Sequence, residues 1–367
     1  MKTLLSERIE RSGPLTFHDF MAAALYDPRL GYYSGEIRPI GRNGDFFTSV
    51  SVGSLFGELL ARRFFREWTE IGSPARWRIV ECGGHDGSLA RDVLDALERL
   101  DSRAIVTLEY VIVDPLLEHQ DTPPLTLPAF PHPVRFTRSL IEFASDPLPG
   151  IAFGNEVLDA LPCHLVEWQA GTWVERRVAL NPMGGLAFET CAIGDALLLQ
   201  ALIPLGGHFP DGYRTEVRTC YQSFLEPLVL CLKSGLMIWA DYGFNRQDYY
   251  HPDRTAGTLR TYAKHRAGEN PLDHPGETDI TAHVDFTAVA EAAQALGGRP
   301  TAFCDQGTWL TATARDALLA QEGHPPSSHW RQFHTLTHPA HLGRCFHILE
   351  LSWNPAAPTQ NLRPLTL

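Results

Sequence analysis

The chain has 367 residues, with 43 Asp and Glu against 31 Lys and Arg, and a formal net charge of −12. That length fits one large domain with an insertion, or two domains, and an apolar fraction of 44% is enough to bury a large core. The acidic balance argues against nonspecific nucleic-acid binding, which needs a basic surface, and favours a basic protein partner. Seven scattered cysteines form no C-x-x-C pair, so neither a disulfide framework nor a thiolate zinc site is expected. The opening Met1–Gly13 is charged and lacks the apolar run of a signal peptide. The longest apolar stretch, Ala196–Leu205, contains Gln200 and Pro204 and falls short of the roughly 20 residues that span a bilayer. These features lead to the expectation of a soluble, cytoplasmic protein without a membrane span.

Residues 1–72 read as a helical N-terminal cap by periodicity. From there β-rich runs alternate with helical patterns, the signature of a parallel α/β sheet. Trp77–Cys82 reads as a strand, and Ser88–Leu100 as a helix with Leu89, Val93, Leu94, Leu97 and Leu100 on one face. Glu109–Asp114 is a second strand stopped by Pro115, and Ile151–Phe153 a third that ends at Gly154-Asn155-Glu156. These belong to a core whose first part is residues 73–163. Residues 164–215 form a β-containing insertion, with Leu165–Trp168 and Trp173–Leu180 joined as a hairpin. Within residues 216–243, a helical stretch at Glu216–Lys233 leads into a strand at Leu236–Asp241. Residues 244–290 are a long loop rich in Gly, Pro, His and Asp, a length that is more often functional than idle. Residues 291–367 complete the core, with Thr301–Cys304 and Phe346–Trp353 as a closing pair of strands.

The chemistry centres on the turn Glu81-Cys-Gly83-Gly84-His85-Asp86-Gly87, between a strand and a helix. Glycines let the backbone turn sharply and approach a ligand, and the helix start offers free N–H donors. Asp114, ending the next strand, stands where such folds bind ribose hydroxyls. A dinucleotide wants G-x-G-x-x-G, which is absent, and Glu81 would repel a pyrophosphate but suits the cationic methionine moiety of S-adenosylmethionine. The turn alone also admits a reading as an unliganded connection. A second group, Asn155, Glu156 and Asp159, follows the middle strand and borders the same crevice. Glu156 and Asp159 share a face if the segment is helical; a solvated first helical turn has the same composition. His334, His338 and His341 have helical spacing, but Pro339 interrupts it and no acid or thiol pair completes a zinc set, so no metal is expected. No Gly-x-Ser-x-Gly elbow or Gly-Lys-Ser/Thr phosphate loop is present.

Several runs resemble one family, the MidA-like methyltransferases. They are Gly13–Phe17, Ala24–Pro28, Leu30–Tyr33, Gly41–Thr48, Leu55–Glu58, Asn155–Pro162, Asp241–Gly243, Gly257–Leu259, His265–Arg266, Pro271–Leu272, Pro275–Glu277 and Asp279–Phe286, in order along nearly the whole chain. The resemblance implies an α/β class I (Rossmann-like) methyltransferase fold, with a seven-stranded, mostly parallel sheet, a helical N-terminal cap and inserted β and loop segments. It implies S-adenosylmethionine as cofactor and, by analogy with the mitochondrial member, a protein arginine as acceptor. The protein partner would by the same analogy be a respiratory-complex subunit; an oligomer is compatible with all of this. On the donor side it points to Asp45, Thr48, Glu81, Gly83, Gly84, His85, Gly87, Asp114 and Asn155. Towards the acceptor it points to Glu156 and Asp159, with Asp279, His283 and Asp285 from the long loop. Two departures stand out. The family turn reads E-x-G-P-G-x-G, and here His85 replaces the middle glycine. After Thr48 the chain runs Ser49-Val-Ser-Val-Gly53 where a Pro, a Glu and a Ser are usual. They keep two other readings open: a non-catalytic assembly protein on the same fold, and a methyltransferase for a small molecule.

Overall fold

Trp77–Cys82 is buried at all six positions, as a strand covered on both faces must be. The computed structural model, which describes residues 1–34, 48–114, 132, 134–263, 266–268, 270–320 and 328–354, places it at the centre of a sheet. The chain divides into two units, Pro39–Leu158 with Gln222–Gly243 and Phe286–Leu367, and Met1–Arg38 with Asp159–Tyr221 and Phe244–Asp285. The first, the sheet unit, carries β1 (Trp77–Cys82), β2 (Leu108–Val113), β3 (Val134–Thr137), β4 (Leu148–Asn155), β5 (Leu232–Phe244), β6 (Arg299–Asp305) and β7 (Phe346–Trp353). Their order is β6-β7-β5-β4-β1-β2-β3. Only β7 runs against the rest, pairing antiparallel with both β5 and β6. Within this unit these are seven strands, mostly parallel, as the family resemblance implied.

Chain order reverses between β1 and β4: β2 and β3 lie on one side of β1, β4 and β5 on the other. At such a switch point the loops leave the carboxyl ends of two neighbouring strands in opposite directions and open a crevice. In register, Cys82 lies opposite Gly154, and Ala240 opposite Asn155. The glycine turn and the Asn155-Glu156 segment therefore leave adjacent strands at the same level.

Helices α1 (Leu55–Glu70) and α2 (Ser88–Leu100) cover the sheet. The spacing read from the sequence is the buried face of α2: Leu89, Val93, Leu94 and Leu97 meet Phe56, Leu60 and Phe64 of α1 and Ile79 of β1 in one core. Each such side chain is worth about 1.5–3 kcal/mol on burial. Inside the same unit Arg63 pairs with Glu350, which also accepts the Trp309 indole N–H at 2.7 Å.

The other unit holds an antiparallel sheet of His164–Gln169, Thr172–Leu180, Leu186–Ala192 and Arg214–Val217, with Leu15–Thr16 added at one edge. The expected hairpin is there: Trp168 pairs with Trp173 across Ala170-Gly171, both at positive φ, as a two-residue turn between twisted strands requires. Helices Lys2–Ser12 and Phe17–Tyr26 complete it, with a small sheet of Arg260–Ala263, Arg266–Gly268 and Asp279–Thr281. Two expectations are corrected. Glu216 lies in a strand, and the helix expected at Glu216–Lys233 covers only Tyr221–Cys231. The stretch expected as a loop from residue 244 carries short strands at Arg260–Ala263, Arg266–Gly268, Asp279–Thr281 and Val284–Asp285; Arg260–Ala263 pairs with both of the two that follow it, and runs of two to four residues are too short to show a period.

Candidate functional site

The glycine turn follows β1 directly. Gly83 and Gly87 have φ of +68° and +72°, and Gly87 caps α2. Gly84 is a close approach: a β-carbon there would lie 2.5 Å from Ile112 Cγ2 on β2. His85 also adopts positive φ, +43°, where a side chain is strained. It stays exposed, Nδ1 3.7 Å from Asp86 Oδ1. Asp86 accepts the Ser88 N–H at 3.0 Å, and His85 and Ser88 together hold its carboxyl below the usual range. Beneath the turn Glu81 is buried and accepts the Tyr110 hydroxyl at 2.6 Å. Burial raises the Glu81 carboxyl to about 8, against the lowering effect of that hydrogen bond.

One strand away, Asn155 and Glu156 end β4. Glu156 has φ +55°, and its N–H donates to the Ala240 carbonyl at 2.9 Å. The Asn155 amide donates to Glu156 Oε1 at 2.9 Å, while Asn155 Oδ1 is buried with no hydrogen-bond partner among the described residues. Val157 closes the gap between the two loops: a β-carbon on Gly83 would stand 3.2 Å from its Cγ2. Asp114 follows β2, its N–H bonded to the Thr137 carbonyl at 2.9 Å.

The structure brings Glu81, Gly83, Gly84, His85, Gly87, Asn155 and Glu156 to the carboxyl ends of β1 and β4, with Asp114 at the end of β2. Thr48 is buried, in a turn in which the Ser51 hydroxyl donates to its carbonyl at 2.8 Å. Asp45 lies outside the described residues. Segment 156–163 carries no helix, so Glu156 and Asp159 do not share a helical face; Glu156 kinks the chain instead.

Asp159, Asp279, His283 and Asp285 belong to the other unit, three of them as buried acids. Sequence reasoning missed Arg218, which ties the backbone at two of them. Arg218, itself buried, donates to the carbonyls of Asp159, Leu161, Ala282 and His283. Burial raises the Asp159 carboxyl while the Arg218 charge opposes that. The Tyr33 hydroxyl, held neutral by burial and by Asp279, donates to Asp279 Oδ1 at 2.9 Å. Arg246 Nε lies 3.5 Å from Asp285. Arg218 stands alone between β-like residues, a pattern that does not announce a clamp.

His334, His338 and His341 do cluster, the first two rings stacked at 4.6 Å. Among the described residues, however, no group of three His, Cys, Asp or Glu is placed to hold a metal ion. Among those residues no helix is long and apolar enough to cross a membrane.

An adenosyl ligand fits the sheet unit's crevice. Its turn holds glycines at positive φ, and the buried Asn155 oxygen, without a partner among the described residues, suits a ligand donor. Residues 59–304 match the family model described as "Putative S-adenosyl-L-methionine-dependent methyltransferase". The chain belongs to this methyltransferase family. A protein of Burkholderia thailandensis solved with S-adenosyl-homocysteine bound is 32% identical over 95% of this chain and 90% of that one, with a TM-score of 0.83. Among curated proteins, "Protein arginine methyltransferase NDUFAF7 homolog, mitochondrial" of Drosophila melanogaster is 28% identical over 95% of this chain and 83% of its own. The human "Protein arginine methyltransferase NDUFAF7, mitochondrial" is 28% identical over 79% and 68%. The chain is thus an S-adenosylmethionine-dependent methyltransferase of class I fold, as the MidA-like resemblance implied. The expectation of a cytoplasmic protein is corrected by the same comparison, since these relatives are named mitochondrial.

Proposed function

We propose that the methyl acceptor is an arginine side chain of a protein. The observation that carries this is Glu156, a carboxylate at the end of β4 beside the glycine turn, in a chain whose curated relatives are named protein arginine methyltransferases. The Gly83–Gly87 turn, Asp114 and Asn155 would hold the donor, with Glu81 beneath them. When bound, S-adenosylmethionine supplies a methyl group on a positively charged sulfur, already activated for in-line displacement. What this chain must add is orientation, exclusion of water and handling of a cationic acceptor.

A guanidinium keeps its proton in water, with a pKa above about 12. A carboxylate that accepts its N–H groups localises the charge, exposes one nitrogen and takes up the proton released as that nitrogen gains the methyl group. Glu156 is the candidate for that role, its oxygen oriented by the Asn155 amide. Asp159, Asp279, His283 and Asp285 lie in the other unit, and an acceptor-side role for them rests on the family resemblance alone. A respiratory-complex subunit, implied by the family resemblance, is the protein to offer first.

Incubating the full chain with S-adenosylmethionine and arginine-bearing peptides should add about 14 Da per methyl group, read by mass spectrometry. Glu156→Gln should lower the rate by about 100-fold and keep S-adenosylhomocysteine binding. Transfer to a small molecule in place of any arginine would sink the acceptor reading. Full activity of Glu156→Gln would remove Glu156 from the chemistry.

A further inference from the structure

Asp241 stands at the carboxyl end of β5, in a motif that the residues assigned above leave unused. It is buried, 1% exposed, and carries an unusual load of backbone donors. Its Oδ2 accepts the N–H of Val157 at 3.1 Å and that of Leu158 at 2.8 Å, while Oδ1 accepts the N–H of Tyr242 at 2.8 Å. Two successive N–H groups can point at one oxygen only if the chain has just turned, and the turn is at Glu156, with φ +55°. A residue with a β-carbon holds that conformation only where its surroundings over-determine it. Here the restraints are the Glu156 N–H on Ala240 and the side-chain oxygens of Asp241 immediately beyond it.

We propose that Asp241 is a positioning residue for methyl transfer: its carboxylate pins the left-handed kink that sets Asn155 and Glu156 beside the glycine turn. The inference rests on the acceptor-side role given to Glu156 above, but its structural core does not. Without the kink, β4 would continue in extended form and the Glu156 side chain would alternate to another direction. With it, the Asn155 amide reaches the Glu156 carboxylate, and Val157 packs towards Gly83. An asparagine at 241 has the right shape but half the acceptors. Whichever way its amide turns, an NH2 group meets backbone N–H donors.

The test is a double-mutant cycle on the full chain, with Glu156→Gly and Asp241→Asn, read by thermal unfolding, by S-adenosylhomocysteine titration and by turnover. Glycine adopts positive φ without cost. Glu156→Gly should therefore raise the melting temperature by about 1–2 °C in the native background. In the Asp241→Asn background the kink is no longer enforced, and the same glycine should lower the melting temperature by loosening the unfolded chain. Turnover of Asp241→Asn should fall about 10–100-fold, with S-adenosylhomocysteine affinity changed less than about threefold. Additive melting shifts, or full turnover in Asp241→Asn, would overturn the proposal. If Asp241→Asn does not fold, Glu156→Gly decides alone: a rise in melting temperature supports the pinned kink and a fall overturns it. A native protein that methylates no arginine while the melting shifts remain coupled would overturn the acceptor reading and leave Asp241 in its role.

Discussion

At the scale of single residues, the cost of His85 can be separated from its effect on the pocket. Its φ of +43° is one that a glycine adopts freely and a histidine does not, a strain of about 1 kcal/mol. Its exposed side chain lies beside Asp86, and an exposed pair of this kind contributes at most about 1 kcal/mol. His85→Gly is therefore expected to raise the melting temperature by about 1–2 °C and to leave S-adenosylhomocysteine affinity equal or tighter, read by thermal unfolding and calorimetry. A lower melting temperature would mean that His85 makes a contact worth more than its strain. The turn at Gly83, Gly84 and Gly87 was legible because turn chemistry is local: the residues that demand a tight approach sit beside those that make it. Asp241 and Arg218 were not. Asp241 acts on N–H groups 84 and 83 residues earlier, and Arg218 on carbonyls 57 to 65 residues away in either direction. Such partnerships exist only after folding.

At the scale of elements, the same division by range decides what could be read. β1 and α2 were visible because a short β-rich run stopped by a glycine turn and a 3.6-residue apolar period are each written in one short segment. Arg214–Val217 was hidden because Glu216, buried on the strand, breaks the apolar pattern; its carboxylate is satisfied by the N–H groups of Thr258 and Leu259. The strands between residues 260 and 281 are three or four residues long and draw their order from pairing alone. The strand–turn–helix unit of β1 and α2 also makes a prediction of its own. A β-carbon at Gly84 would stand 2.5 Å from Ile112 Cγ2, a stiff branched side chain on β2, so the turn must lift away from the sheet. Gly84→Ala should weaken S-adenosylhomocysteine binding at least tenfold and cost about 1–3 kcal/mol of stability. In an Ile112→Ala background the added penalty should largely vanish. An equal penalty in both backgrounds, measured by chemical unfolding, would show that the two groups do not collide.

At the scale of the whole molecule, a chain of net charge −12 has placed several acids where water cannot reach them, and the sign of their shifts sets its pH response. Burial raises Glu81 to about 8, and burial with Glu58 and Asp95 nearby raises Asp92 to about 6; Asp159 moves in the same direction. The folded chain thus keeps protons that the unfolded chain releases from about pH 4.5 upward. Where the unfolded state binds fewer protons, stability falls as pH rises, here across about pH 5 to 8. The melting temperature of the ligand-free protein should decline through that window, and Glu81→Gln should flatten the upper part, above about pH 6. A cationic ligand near Glu81 reverses the preference, because its charge favours the carboxylate over the acid. S-adenosylmethionine should therefore bind with release of a proton at pH 7 and tighten by up to about fivefold between pH 7 and 8. S-adenosylhomocysteine, which lacks the sulfonium charge, should show a weaker trend. Calorimetry in buffers of different ionisation enthalpy measures the proton directly. Equal proton release for Glu81→Gln and the native protein would place the titrating group elsewhere, and a pH-independent affinity would mean that the donor's charge does not reach this carboxyl.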